Sequence, residues 1–120
     1  MSVLVAVTDS AEGRAALEAA ANEADLLNVQ LAVVNLTGSE LDTTSIATEV
    51  PYEVVVPHVG ADVDEVEQVL ASIEDRPEVT RLVVGVRKRS PIGKAVLGSI
   101  AQRLILEASV PVLSVKTTDA

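Results

Sequence analysis

Residues 81–108 read RLVVGVRKRSPIGKAVLGSIAQRLILEA, and they contain the pattern that decides the fold. The apolar, β-branched run Arg81–Val86 predicts a buried strand. The following stretch, Gly85–Ser99, is basic and carries glycines, and Ile100–Ala108 has the apolar spacing of a helix. A strand, a loop and a helix in this order form the repeating unit of parallel sheets, because parallel neighbours need long connections.

The same alternation of strand and helix patterns continues outward to both ends of the chain. Helices are predicted at Ala11–Leu27, after the capping residues Thr8 to Ser10, and at Asp62–Glu74. Thr37–Glu49 is predicted to be a loop with at most a short helix at Leu41–Ala47. The five predicted strands are Val3–Val7, Leu31–Leu36, Tyr52–Val56, Arg81–Val86 and Pro111–Val115, and the tail Thr117–Ala120 is expected to fray. The sequence therefore predicts an α/β fold, a five-stranded parallel sheet with helices on both faces, whose ligands bind at the carboxyl ends of the strands.

Composition limits the classes of protein to which the chain can belong. The 120 residues carry a formal net charge of -9 and include no cysteine, so a disulfide framework and a cysteine-rich zinc site are excluded. The length fits one domain, residues 1–120. No apolar run approaches the roughly 18 residues that span a bilayer, and no leader pattern is present. We expect a cytoplasmic protein with no membrane partner and, given its acidity, no nucleic-acid partner.

The stretch Gly85–Ser99 carries positive charge in an acidic chain. Its basic side chains are Arg87, Lys88, Arg89 and Lys94, and it contains no acidic residue. Gly85 and Gly98 would let a ligand approach the backbone closely, and Ser99 is placed to donate its hydroxyl to a phosphate oxygen. This pattern favours an anion site at a helix start. The alternative is a solvated surface loop that offsets the acidic remainder, with Ser99 serving only as a cap.

The chain resembles the universal stress proteins of the UspA type. The resemblance runs from VLVAVTDS at Val3–Ser10 to PVLSVK at Pro111–Lys116. Nucleotide-binding members of that family carry Gly, two residues, Gly, nine residues and then Gly followed by Ser or Thr. Gly85 and Gly98-Ser99 match the outer positions, while Lys88 stands where the family has its middle glycine. The resemblance implies the strand order 3-2-1-4-5 of the adenine nucleotide alpha hydrolase-like fold.

The resemblance also implies a nucleotide site. It assigns ribose and adenine contacts to Thr8 or Asp9, adenine packing to Leu36, and phosphate contacts to Gly85, Gly98, Ser99 and the N–H of Ile100. The charge of the basic loop adds Arg87 and Lys88 to this predicted site. Two outcomes stay open for Lys88. In the first, its side chain blocks the pocket, and its backbone is strained if the position needs a positive φ. In the second, its ammonium binds a phosphate.

The other candidates point to ordinary structural roles. His58 has no carboxylate or second histidine at a ligand-like spacing. The acidic cluster at the predicted helix start favours a dipole-stabilised first turn over a cation site, and it comprises Asp62, Asp64, Glu65 and Glu67. No serine lies in a nucleophile elbow and no general base can be named, so we do not predict an enzyme, and slow ATP hydrolysis stays open.

Three functions follow, in order of preference. The first is a small stress-response protein that binds ATP or a related adenine nucleotide, with Mg²⁺ bridging the phosphates, and that forms a homodimer through the edge strand Pro111–Val115. The second is a nucleotide-free interaction module whose basic loop binds an acidic partner or a small anion. The third is a phosphoryl- or nucleotidyl-transferring enzyme on a related fold.

Overall fold

The computed structural model describes residues 1–44, 46, 49–55, 64–88, 95–96 and 98–118, with only the backbone described at 88, 95, 96 and 118. The helices are α1 (Ala11–Leu27), α2 (Glu65–Glu74) and α3 (Ser99–Glu107). The strands are β1 (Ser2–Val7), β2 (Gln30–Asn35), β3 (Tyr52–Val55), β4 (Val79–Lys88), β5 (Ala95–Val96) and β6 (Val112–Thr118).

The sheet has the strand order that the resemblance implies. Its five parallel strands run β3-β2-β1-β4-β6, which is the expected order 3-2-1-4-5 once the short β5 is set aside. The strand β5 is antiparallel and pairs with the end of β4. Strand order reverses between β1 and β4, so a crevice forms at their carboxyl ends.

The helix α1 has the predicted bounds because local signals mark both of its ends. Ser10 is the N-cap, and its hydroxyl accepts a hydrogen bond of 3.0 Å from the N–H of Gly13. Asn28 ends the helix in the left-handed conformation, with φ 56° and ψ 49°. Between these caps, the buried face presents mainly alanine to the sheet and packs across β1, β4 and β6.

Two apolar layers sandwich the sheet, and they use no buried aromatic ring among the described residues. The first layer lies under α1 and includes Val3, Val5 and Val83. The second lies under α2 and α3 and includes Leu4 and Leu104. Alternate residues of β1 serve opposite layers, and the whole strand is buried, as its continuous apolar sequence predicts.

The last third of the sheet differs from the sequence prediction. The fourth strand does not end at Val86 as predicted but continues to Lys88, because residues 85–88 pair with Val115–Thr118 of β6. Pairing with β4 also orders Thr117 and Thr118, which the sequence analysis wrongly placed in a frayed tail. The predicted short helix at 41–47 is absent from the described residues 41–44 and 46. Positions 45, 47, 48 and 56–63, which include part of that prediction, Val56 and His58, lie outside the described residues.

Within the described residues, no helix combines the length and the apolar character needed to cross a membrane.

Candidate nucleotide-binding site

A cavity of about 370 Å³ lies at the carboxyl ends of β1 and β4. The start of α1 forms one wall and the start of α3 forms another. The lining residues are Ala6, Thr8, Ser10, Glu12, Val84, Gly85, Arg87, Gly98, Ser99, Ile100, Ala101 and Leu104. Six of the nine residues that the sequence analysis assigned to the site lie among them.

The wall formed by α1 carries oxygen atoms. The hydroxyls of Thr8 and Ser10 are 2.7 Å apart and share a hydrogen bond. The Ser10 hydroxyl also accepts from Gly13, so the cap uses one of its two lone pairs. Gly13 permits this tight start, because a Cβ there would lie 2.1 Å from the Thr8 carbonyl oxygen. Thr8 is therefore the hydroxyl on this wall that has more capacity left for a ligand.

The wall formed by α3 presents the helix N-terminus to the cavity. Gly98 is the N-cap residue and makes no side-chain cap, and the first turn contains no acidic residue. The first N–H groups of a helix have no intrahelical partner, and the helix dipole makes this end positive. The N–H groups of Ser99 and Ile100 and the Ser99 hydroxyl can therefore donate to an anion.

The two described glycines of the family pattern have different physical reasons to be glycine. A Cβ on Gly85 would lie 2.0 Å from the carbonyl oxygen of Glu12 and 2.5 Å from its carbon. The close packing of α1 on β4 thus requires a glycine at 85, with no ligand involved. A Cβ on Gly98 would meet nothing within 4 Å, and its φ of -65° suits any residue. Gly98 therefore leaves room beside the cavity that the described residues do not fill.

An ion pair in the cavity was not predicted from the sequence. Arg87 Nε lies 3.5 Å from Glu12 Oε2, and the side chains are 35% and 23% exposed. Glu12 Oε2 is buried and accepts no hydrogen bond from the described residues. Since the two residues are far apart in the sequence, only the packing of α1 at Gly85 brings them together. The acidic residue at the start of α1 is a helix-dipole signal that could have drawn attention to Glu12.

Two predicted site residues do not line the cavity. Asp9 is exposed in the turn before α1. Leu36 follows β2, donates its N–H to the Val7 carbonyl at 2.8 Å, and packs on the layer under α2 and α3. Both lie near the carboxyl edge of the sheet, but neither reaches the cavity wall.

The backbone of Lys88 is that of a strand, since it pairs with Ala95 on one side and with Thr118 on the other. The strain considered for a lysine with positive φ therefore does not arise at this position. Its side chain, together with Arg89 and Lys94, lies outside the described residues.

The acidic residues before and within α2 serve the helix and a neighbour. Asp64 is the N-cap, its Oδ1 accepts from the N–H of Val66 at 2.9 Å, and it pairs with Arg103 of α3. The hydrogen bond from Arg103, followed by that from Val66, lowers the pKa of Asp64. Asp62 lies outside the described residues.

A protein-built metal cage does not fit this site. The described residues contain no group of three or more His, Cys, Asp or Glu side chains that could hold a metal ion. Mg²⁺ carried on nucleotide phosphates needs only one or two protein carboxylates, and Glu12 supplies one in the cavity.

Comparison with known proteins identifies the family. The model of the universal stress protein family matches residues 42–116. The chain belongs to the universal stress protein family. A universal stress protein of Mycolicibacterium smegmatis is 38% identical over 87% of this chain and 88% of its own length.

Solved universal stress proteins share this fold. A structure from Archaeoglobus fulgidus is 29% identical, covers 97% of this chain and 98% of its own, and has a TM-score of 0.73. Another structure described from Archaeoglobus fulgidus, determined in complex with dAMP, is 24% identical with a TM-score of 0.68, and covers 97% of this chain and 98% of its own.

Proposed function

We propose that this universal stress protein binds an adenine nucleotide in the cavity between α1 and α3 and acts in the cytoplasmic stress response. The observation that carries the proposal is the open N-terminus of α3, where Gly98 leaves both the helix N–H groups and the adjoining space available. The dAMP complex of a similar fold supports a nucleotide as the ligand. ATP with Mg²⁺ bridging its phosphates is the proposed form.

The walls suggest how such a ligand is held. The N–H groups of Ser99 and Ile100 and the Ser99 hydroxyl bind the phosphate next to the sugar, because they surround the positive end of α3. Thr8 binds a ribose hydroxyl from the opposite wall. Arg87 contributes positive charge near the phosphates, and Lys88 adds an ammonium if its side chain turns into the cavity. Asp9 and Leu36 stay proposed contacts for the ribose and the adenine only if the ligand extends beyond the cavity wall.

We also propose a homodimer through β6. This strand lies at the edge of the parallel sheet, and Leu113 on it is 41% exposed. An unpaired apolar edge favours pairing with a second copy of the chain.

Calorimetric titration with ATP, with and without Mg²⁺, tests the nucleotide proposal. The variants are Gly98→Asp and Gly98→Asn, which fill the same space and cap α3 equally well but differ in charge. We expect saturable binding to the unaltered protein, weaker binding to Gly98→Asn and none to Gly98→Asp. Both variants should unfold at no lower urea concentration than the unaltered protein, which separates a lost site from a lost fold.

The absence of heat at millimolar ATP and AMP would reject nucleotide binding and favour the interaction module. A Lys88→Gly variant then shows which role Lys88 has. Stronger binding identifies an obstruction, and weaker binding identifies a phosphate ligand.

A further inference from the structure

The described part of the cavity has balanced side-chain charge. The charged residues that line it are Glu12 and Arg87, one of each sign, and they lie within ion-pair distance of each other. A cavity built only to attract phosphates has no need of a carboxylate. Oε2 is buried and accepts no hydrogen bond from the described residues, so its charge is screened less than in water, although Arg87 at 3.5 Å offsets part of it.

The position of Glu12 is fixed by the packing of α1. Its carbonyl group occupies the space that a side chain at position 85 would need. The first turn is also tied to the β1–α1 turn through the cap at Ser10. The start of α1 therefore lies in direct contact with β4, and the Ser10 cap holds the Glu12 backbone beside the cavity wall.

We infer that Glu12 is a specificity-determining residue that makes the cavity select nucleotides by charge. The inference rests on the proposed function. A phosphate monoester carries about -1.5 to -2 at pH 7, and longer phosphate chains carry more. Repulsion by the carboxylate grows with that charge, and the carboxylate cancels part of the attraction that Arg87 would otherwise exert on the phosphates. Mg²⁺ neutralises part of the additional negative charge when it bridges neighbouring phosphates. The preferred ligands are therefore nucleoside monophosphates or the Mg²⁺ complex of a triphosphate, and the disfavoured one is metal-free triphosphate.

Calorimetry with three titrants tests the selection: AMP, ATP with EDTA, and ATP with excess Mg²⁺. In Glu12→Gln, which keeps the shape and removes the charge, we expect metal-free ATP to bind about tenfold more tightly, the effect of a single partly screened charge contact. AMP should gain less, so the ratio of AMP to metal-free ATP affinity should fall. The gain should shrink as salt is added.

Glu18→Gln is the matched control, because it makes the same change of net charge on the exposed side of the same helix. It should leave all three affinities and their ratios unchanged. Arg87→Gln tests the pair from the other side and keeps the inference falsifiable if Glu12→Gln folds poorly. It removes the arginine that lies 3.5 Å from the carboxylate, so metal-free ATP should lose more affinity than AMP.

The results distinguish this inference from the function on which it rests. If the three titrants bind but Glu12→Gln changes them by the same factor, or Glu18→Gln alters the ratio equally, Glu12 does not select by charge and the nucleotide site stands. If the unaltered protein prefers metal-free ATP, the inference is also wrong. If none of the three binds, the nucleotide site and the inference fall together.

Discussion

Gly85→Ala should destabilise the protein strongly, although it adds a single methyl group. The new Cβ would lie 2.0 Å from the Glu12 carbonyl oxygen, against the 3.4 Å of ordinary contact, so the start of α1 would have to move by about 1.4 Å. The clash is with backbone, so no side-chain rotation relieves it. Overpacking of this kind costs about 3 kcal/mol.

Urea unfolding followed by circular dichroism measures this cost. With a slope of about 1 to 3 kcal/mol per molar for a small domain, the midpoint should fall by roughly 1 to 3 M. Gly98→Ala is the internal control, because its Cβ meets nothing within 4 Å. Its free energy of unfolding should stay within about 0.5 kcal/mol of the original, since a poorer cap is offset by a less flexible unfolded chain.

The reasoning is refuted if Gly85→Ala unfolds at the original urea midpoint. If that variant kept its stability and lost nucleotide affinity, Gly85 would serve the ligand and not the packing of α1. If Gly98→Ala were the destabilised variant, the space beside Gly98 on the α3 wall would not be open, contrary to the structure.

Three other measurements check separate parts of the structure. Ser10→Ala should lower the free energy of unfolding by about 1 kcal/mol, because it removes the cap on Gly13, and a midpoint unchanged in urea would contradict the cap. Arg103→Gln should raise the pKa of Asp64, which carboxyl NMR can follow. Because this pKa is lowered in the folded state, the ion pair stabilises the protein above about pH 4. That stabilisation is lost as the pH falls through the folded pKa. Leu113→Lys should shift sedimentation from dimer to monomer, and a dimer that persists would place the interface away from β6.

The order of the sheet was implied by the resemblance, whereas the strand β1 and the bounds of α1 could be predicted from the residues because they depend on local signals. The continuous apolar run at β1 marks a strand buried on two faces, and Ser10 marks the helix start. The end of β4 could not be predicted in this way. Gly85 is a poor strand residue by propensity, and pairing with β6 and, at residues 87 and 88, with β5 keeps the chain extended beyond it.

The predicted site was most accurate where its residues are neighbours in the sequence at one helix start. Gly98, Ser99 and Ile100 belong to one helix start, and the structure places all three on the cavity wall. Glu12 escaped notice because its importance comes from a contact across the sheet with Arg87. Leu36 was assigned from the resemblance alone, and its position reflects how β2 ends in this chain.

The different structural roles of Gly85 and Gly98 affect how relatives of this protein are classified. A descendant that abandoned its ligand would be under no constraint at position 98, where a side chain has empty space to enter. It would have to keep position 85 unchanged for as long as α1 rests on β4. A search pattern that counts both glycines as marks of nucleotide binding would therefore admit members that have retained only the architecture.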